Sequence, residues 1–448
     1  MKISKVVFSI MIVGVLSAST AFSQDTVQQP TSALPTAFEN LANTEFDNSD
    51  YYTQDSESVS HSIAHEGTSC DSCGSSDCGG GCGRSLDLGS RLGCCDLGEP
   101  WSLWDQVACD SCINVGMWTQ MGYHDEGNGL TNNHPDRLNL HQQYIYIEKE
   151  AHSDGCCWDW GFRFDAMYGV DGDRMQAFGS DAGDWDFMHG YDHGIYGWAL
   201  PQFYGEFAYN RLNLIAGHFY SPSGYERATA PDNFFYSHSM SHSLTTPITY
   251  TGVLATYDWR EGIELVGGYS SGWDVGFSQF GGGNNFFGGF IIDVNECLSF
   301  TYIVNGGDFG RRSLDDEKSY SHNIVVDWQI NDRWNYVLES SALRIEEQGE
   351  DNVGITNYLF YDYSDCLAFG ARVEWWKGDS VTNGGTGYTY GGRIPALTNG
   401  SSSYYGAAFG VNYRPCANIV IRPEVRRDWA PFAGYDETTF AVDFVATY

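Results

Sequence analysis

The chain has 448 residues, with 23 Lys and Arg against 58 Asp and Glu, for a formal charge of −35 at neutral pH. So acidic a balance argues against nucleic acid as a partner, because phosphate binding calls for a basic surface. Nothing beyond the N-terminal region approaches the roughly 18 unbroken apolar residues of a membrane-spanning helix, but 15 % aromatic residues and 53 glycines suit a barrel, whose strands need only about 10 residues to cross.

Residues 1–23 read as an export signal. Lys2 and Lys5 supply the positive end, Val6 to Val15 an apolar stretch, and Ala21-Phe22-Ser23 a small-x-small cleavage site before Gln24. Residues 24–100 read as a disordered, acidic, Cys-rich linker. Ser, Thr, Asp, Asn, Gln and Gly dominate it, and such a segment buries too little apolar surface to offset chain ordering. Cys70-Asp71-Ser72-Cys73, Cys78, Cys82, Cys94 and Cys95 lie here, and Cys109-Asp110-Ser111-Cys112 follows. The Cys-x-x-Cys spacing also serves zinc and redox sites. In an oxidising compartment, without a βαβ context, these eight cysteines are disulfide candidates.

From residue 101 onward the chain reads as a barrel domain of short strands. The candidates are 113–123, 140–149, 158–168, 202–209, 212–220, 250–259, 263–273, 287–294, 299–305, 320–330, 334–343, 356–363, 367–376, 404–413, 419–427 and 438–448. The pattern predicts an all-β fold, a closed antiparallel transmembrane β-barrel of about 16 strands (about 14 to 18). Tight turns such as Ile330-Asn331-Asp332-Arg333 alternate with long connections, the longest being Val170 to Trp198 and Ser221 to Pro247.

Side-chain alternation assigns the faces. In 158–168, Trp158, Trp160, Phe162, Phe164, Ala166 and Tyr168 share one face. In the last strand Phe440, Val442, Phe444, Ala446 and Tyr448 do the same. Arg or Lys facing lipid at mid-membrane costs about 2–4 kcal/mol, so the charges between these apolar rows must point inward. Arg163, Asp165, Arg372, Glu374, Arg422, Glu424, Arg426 and Asp443 are therefore the expected pore-lining residues. Basic and acidic walls would set up a transverse field across a narrow channel. Arg427 falls on the lipid side and belongs at headgroup level. Pro423 cannot donate to a ladder, which predicts a bulge or strand end beside it.

Catalytic and metal signals are weak. His238 and His242 have the i, i+4 spacing of helical metal ligands but lack the glutamate of the zinc-protease pattern, so they are assigned to a solvated loop. Asp171-Gly172-Asp173 and the acidic run from Asp181 to Asp186 fall short of a calcium-loop pattern. No catalytic residue, metal ligand or cofactor is expected.

Within 200–259 stand Leu200-Pro201-Gln202-Phe203-Tyr204, Ala216-Gly217-His218-Phe219-Tyr220, Pro231-Asp232-Asn233-Phe234-Phe235-Tyr236 and Tyr250-Thr251-Gly252-Val253-Leu254. Asn357-Tyr358-Leu359-Phe360-Tyr361 and Ile421-Arg422-Pro423-Glu424-Val425-Arg426 come later. From about residue 113 to the end this wording resembles the OmpL-like β-barrel porin family, especially its planctomycete-type members. The resemblance implies an outer-membrane barrel that passes small solutes, and it assigns no catalytic residue. The expected function is thus a non-enzymatic outer-membrane porin with a charged lumen. Two alternatives stay open: a plugged barrel serving as a surface or structural envelope protein, and an outer-membrane hydrolase using histidines such as His218, His238 and His242. Expected partners are outer-membrane lipid, small solutes, the barrel-assembly machinery through Tyr448, and a homo-oligomeric copy.

Overall fold

The computed structural model describes residues 97–104, 112–128, 130–153, 157–177, 182–278, 283–310, 318–346, 350–379, 402–431 and 434–448. The export signal, the linker up to residue 96, and Cys70, Cys73, Cys78, Cys82, Cys94, Cys95 and Cys109 lie outside them.

Seventeen strand segments form one antiparallel sheet. In chain order they are β1 (Asn114–His124), β2 (Arg137–Lys149), β3 (Trp158–Gly169), β4 (Gly197–Ala199), β5 (Phe203–Tyr209), β6 (Leu212–Tyr220), β7 (Thr249–Arg260), β8 (Ile263–Trp273) and β9 (Asn284–Asn295). Then follow β10 (Leu298–Asp308), β11 (Ser319–Asn331), β12 (Trp334–Ile345), β13 (Glu350–Ser364), β14 (Leu367–Asp379), β15 (Ser402–Cys416), β16 (Ile419–Ala430) and β17 (Tyr435–Thr447). β4 and β5 pair with successive stretches of β3, separated by Leu200-Pro201-Gln202, and occupy one wall position. The wall therefore has sixteen positions, one for each expected strand.

The sheet closes on itself. β1 pairs with β17 from Trp118 opposite Thr447 to His124 opposite Ala441. Met117 N donates to Tyr448 O at 3.0 Å and Tyr448 N to Met117 O at 2.9 Å. Closure satisfies the edge donors and acceptors that hydrocarbon would leave unpaired.

Period-two sequence produces two unlike faces. Along β3, Trp158, Trp160 and Tyr168 are exposed while Arg163, Asp165 and Met167 are buried. Along β17, Phe440 and Val442 are exposed while Asp443 and Val445 are buried. Phe203, Phe207, Val253, Phe286, Leu359, Val373 and Phe409 extend the apolar outer face around the wall. An apolar surface that surrounds a barrel calls for hydrocarbon. Among the described residues no helix is long and apolar enough to cross a membrane.

At one rim, Asn210-Arg211, Glu261-Gly262, Glu296-Cys297, Asp332-Arg333, Asp365-Cys366 and Ala417-Asn418 make two-residue connections. Asn210 (φ 56°) and Gly262 (φ 69°) take the left-handed backbone that such hairpins favour. The long connections, including 170–196 and 221–248, emerge at the opposite rim. Leu97 and Trp101 dock at the short-turn rim: Ala417 N donates to Leu97 O at 3.0 Å, and Asn418 Nδ2 to Trp101 O at 2.7 Å.

Three expectations need correction. Pro423 sits inside β16 with no register shift at that point in either ladder. It stays paired opposite Val442 of β17, and the pairing with β15 skips from Glu424 to Ile421. The missing donor is thus accommodated by a local gap in one ladder rather than a bulge. Among the described residues Cys112 forms no disulfide, whereas Cys366 and Cys416, outside the candidate set, are disulfide-bonded. The 221–248 connection is not solvated: most of its side chains are buried. Arg427 is exposed and pairs with exposed Asp436 at 2.7 Å.

Candidate functional site

The connection between β6 and β7 folds back into the barrel. It contains a single 3-10 turn at Ala230–Asp232 and a one-turn helix at Met240–Leu244, called α2 here because α1 (Gly172–Met175) precedes it. Ser239 caps α2 by accepting from His242 N at 3.1 Å. Most of the segment is buried: Phe234, Phe235, Tyr236, Ser239, Met240, Ser241 and Leu244 each keep less than a tenth of their surface.

What draws a polar, serine-rich loop inside is a wall built to receive it. On β2, Gln142 Oε1 accepts from Ala230 N at 3.1 Å and Gln142 Nε2 donates to Ala228 O at 2.9 Å. On β12, Ser341 Oγ accepts from Thr245 Oγ1 at 2.8 Å. On β14, Glu374 Oε2 accepts from Met240 N at 2.6 Å. On β16, Arg422 Nη1 donates to Ala230 O at 2.8 Å, and Glu424 accepts both the backbone N–H and the hydroxyl of Ser237. Apolar contact joins in: Phe234 lies 4.9 Å from Phe360 and Tyr225 4.8 Å from Tyr358, ring centre to ring centre. A Cβ at Gly370 would meet the Phe234 ring at 2.4 Å, so glycine there makes the socket for the loop.

All eight expected lining residues are buried, each at 5 % exposure or less. Arg372, Glu374, Glu424 and Arg426 come together around the inserted segment. Arg372 Nη1 lies 2.9 Å from Glu226 Oε1, Arg426 Nη2 3.0 Å from Glu374 Oε1, and Arg426 Nε 2.7 Å from Asp428 Oδ2. Arg422 Nε donates to Asp443 at 2.9 Å. Arg163 and Asp165 form a separate group on β3, 2.9 Å apart, with Glu148 of β2 as the second acid on Arg163. Each acid of a pair therefore sits beside its base, on the same strand, on a strand one or two positions away, or on the inserted segment, so the expected opposition of basic and acidic walls does not arise. Local pairing won because a buried charge without an adjacent partner costs several kcal/mol.

Sequence reading missed Glu148, Glu226, Glu339 and Asp428. Glu148 and Asp428 follow the same inner-face alternation as their neighbours and were legible. Glu226 was not, because it lies in a connection without period. It accepts from Arg372, from Tyr358 Oη at 2.9 Å, from Ser239 N at 2.7 Å and from His238 Nδ1 at 3.1 Å. Burial alone would raise the Glu226 carboxyl; the Arg372 guanidinium and His238 outweigh it and hold the group below the usual carboxylate range. His238 and His242, expected in solvent, stack inside the barrel with ring centres 4.5 Å apart. Burial, with His238 beside it, pushes the His242 imidazole well below its ordinary range.

Other candidates take structural roles. Asp171 accepts from His141 and Gln142, each at 3.0 Å. Asp186 accepts from the backbone of Ala177 and Leu200. His218 is buried against Thr251, Nδ1 to Oγ1 at 2.8 Å, away from the His238–His242 pair. A polar pocket between the inserted segment and β1, β2 and β16 is lined by Gln120, His141, Tyr236, His238 and Arg422 among others.

Among solved structures, outer-membrane channels are similar to the chain at low identity. The outer-membrane channel DcaP of Acinetobacter baumannii is similar at 13 % identity and a TM-score of 0.48, over 75 % of this chain and 96 % of that one. An anion-selective porin from Comamonas acidovorans is similar at 8 % identity and a TM-score of 0.48, over 75 % and 99 %. The trimeric form of OmpT, an outer membrane protein of Vibrio cholerae, is similar at 10 % identity and 0.46, over 75 % and 99 %. No curated protein matches the chain in sequence. The family described as "Putative beta-barrel porin-2, OmpL-like" matches residues 111–447. That span runs from just before β1 to the end of β17, and the chain belongs to this OmpL-like β-barrel porin family of the outer membrane.

Proposed function

We propose that the protein is a passive porin that admits small hydrophilic solutes through a charged bore narrowed by residues 221–248. The observation that carries this reading is the inserted segment itself, held by charged groups inside a closed barrel with an apolar exterior. The polar wall and the polar segment together line the path that the segment leaves, which suits hydrophilic solutes. Export by residues 1–23, engagement of the assembly machinery through Tyr448, and self-association belong to the same proposal. In planar bilayers, purified protein is expected to give stepwise conductance.

A second reading has one observation in its favour. The segment buries nearly all of its side chains against the wall, as a plug would, and the acidic Cys-rich residues 24–100 would then make the protein an envelope tether. Well-folded protein with no conductance would support that reading and defeat the first.

A further inference from the structure

The first-row transition metals are recognised by imidazole and carboxylate together, and the inserted segment supplies both within reach of each other. One ligand atom each from Glu226, His238 and His242 lies within 4.8 Å of the other two. We propose that these three residues form a binding site for a divalent transition-metal ion of the zinc, cobalt, nickel and copper class, held inside the barrel.

Three observations carry the assignment. His238 Nδ1 stands 3.1 Å from Glu226 Oε2. Two atoms bound to one tetrahedral ion at about 2.0–2.2 Å stand about 3.4 Å apart, so this pair needs little movement to take an ion in place of the shared proton. His242 is 8 % exposed and its ring stacks on that of His238 with centres 4.5 Å apart, which sets a second imidazole beside the first. Glu226 is oriented from its far side: Arg372 and Tyr358 hold Oε1, while Oε2 accepts from Ser239 N and faces His238 Nδ1. A bracing partner behind the ligand is the usual support of a metal site.

The surrounding charge permits an added cation. Arg372 and Arg426 pair with Glu226, Glu374 and Asp428, and Glu424 adds a fourth acid through Ser237. Arg372 and Arg426, the arginines in contact with the inserted segment here, are thus each met by an acid. Two imidazoles with one carboxylate select transition metals over magnesium or calcium, which prefer an all-oxygen shell. The sequence pattern alone could not reveal the site: His238 and His242 have helical ligand spacing, but their carboxylate lies twelve residues before His238 and is brought in by the fold.

The test uses the full refolded chain with free thiols blocked by N-ethylmaleimide, which removes cysteine ligands. Titration with Co²⁺ should saturate at one ion per chain and develop d–d absorption without a thiolate charge-transfer band. His242→Gln and His238→Gln should each weaken binding at least about 30-fold while retaining native electrophoretic mobility without heating, and His189→Gln should bind as wild type. Cu²⁺ bound to the wild-type chain should show two imidazole nitrogens by electron paramagnetic resonance. Absence of saturable binding, wild-type affinity in a folded His242→Gln, or a nitrogen count of zero or one overturns the assignment. None of these readouts depends on solute passage, so their failure would leave the porin reading to its own conductance test.

Discussion

Replacing Arg372 by methionine separates docking of the inserted segment from formation of the barrel. The guanidinium is fully buried. It donates to Glu226 Oε1 at 2.9 Å, to Ser237 O at 2.6 Å and to Ser237 Oγ at 2.9 Å, and lies 4.9 Å from the Phe235 ring centre. All four of these contacts are to the 221–248 segment; Glu374, 3.6 Å from Nε, is on the wall. Methionine keeps much of the length and removes the charge, leaving Glu226 buried without its cation. Removing one partner of a buried ion pair costs about 3–5 kcal/mol. Because the lost partners are on the segment, the cost falls on docking, and at 1.4 kcal/mol per decade it shifts the docked fraction by about two to three and a half decades. Single-channel recording should show larger and noisier conductance, and limited proteolysis should cut within 221–248. The barrel's resistance to SDS before heating should persist. Adding Glu226→Gln removes the stranded charge and should recover part of the loss, which a double-mutant cycle measures. Conductance, noise and protease resistance all equal to wild type would refute the reasoning.

Further outcomes follow from single contacts. Gly370→Val places a Cβ 2.4 Å from the Phe234 ring, so the segment should shift and conductance change, whereas the same change at Gly205, which has open space around a Cβ, should leave conductance as it is. Phe440→Arg puts a charge on the exposed outer face of β17 and should cost about 2–4 kcal/mol if it lies at the bilayer centre, read from urea unfolding in lipid vesicles. Pro423→Val returns a backbone donor toward β15 and should stabilise by about 0.5–1.5 kcal/mol in the same assay. Maleimide should label Cys112 in unreduced protein, while Cys366 and Cys416 should label only after reduction.

The wall was readable because period two leaves a mark at every strand. Leu212–Tyr220 and Ile263–Trp273 match their expected limits, Phe203–Tyr209 begins one residue later, Asn114–His124 sits one residue further along, Tyr435–Thr447 starts three residues earlier and ends one sooner, and the rest extend by one to six residues at one or both ends. Arg163 with Asp165, Arg372 with Glu374, and Arg426 with Asp428 each place base and acid two positions apart on one strand, so burial on a shared inner face follows from the sequence. What fills the interior was not readable. The stretch 221–248 has a loop's composition, and its burial depends on Gln142, Glu374, Arg422 and Glu424, which lie far from it in the chain. The same distance hid Glu226 as the partner of His238 and moved both histidines from solvent to the interior.

The central claim is that residues 221–248 occupy and narrow the bore. Its most direct measurement compares single-channel conductance of the wild-type protein with that of a variant in which 224–246 is replaced by a short Gly/Ser linker. The account predicts stepwise conductance in both, several-fold larger in the variant. Equal conductance in two folded proteins would contradict it.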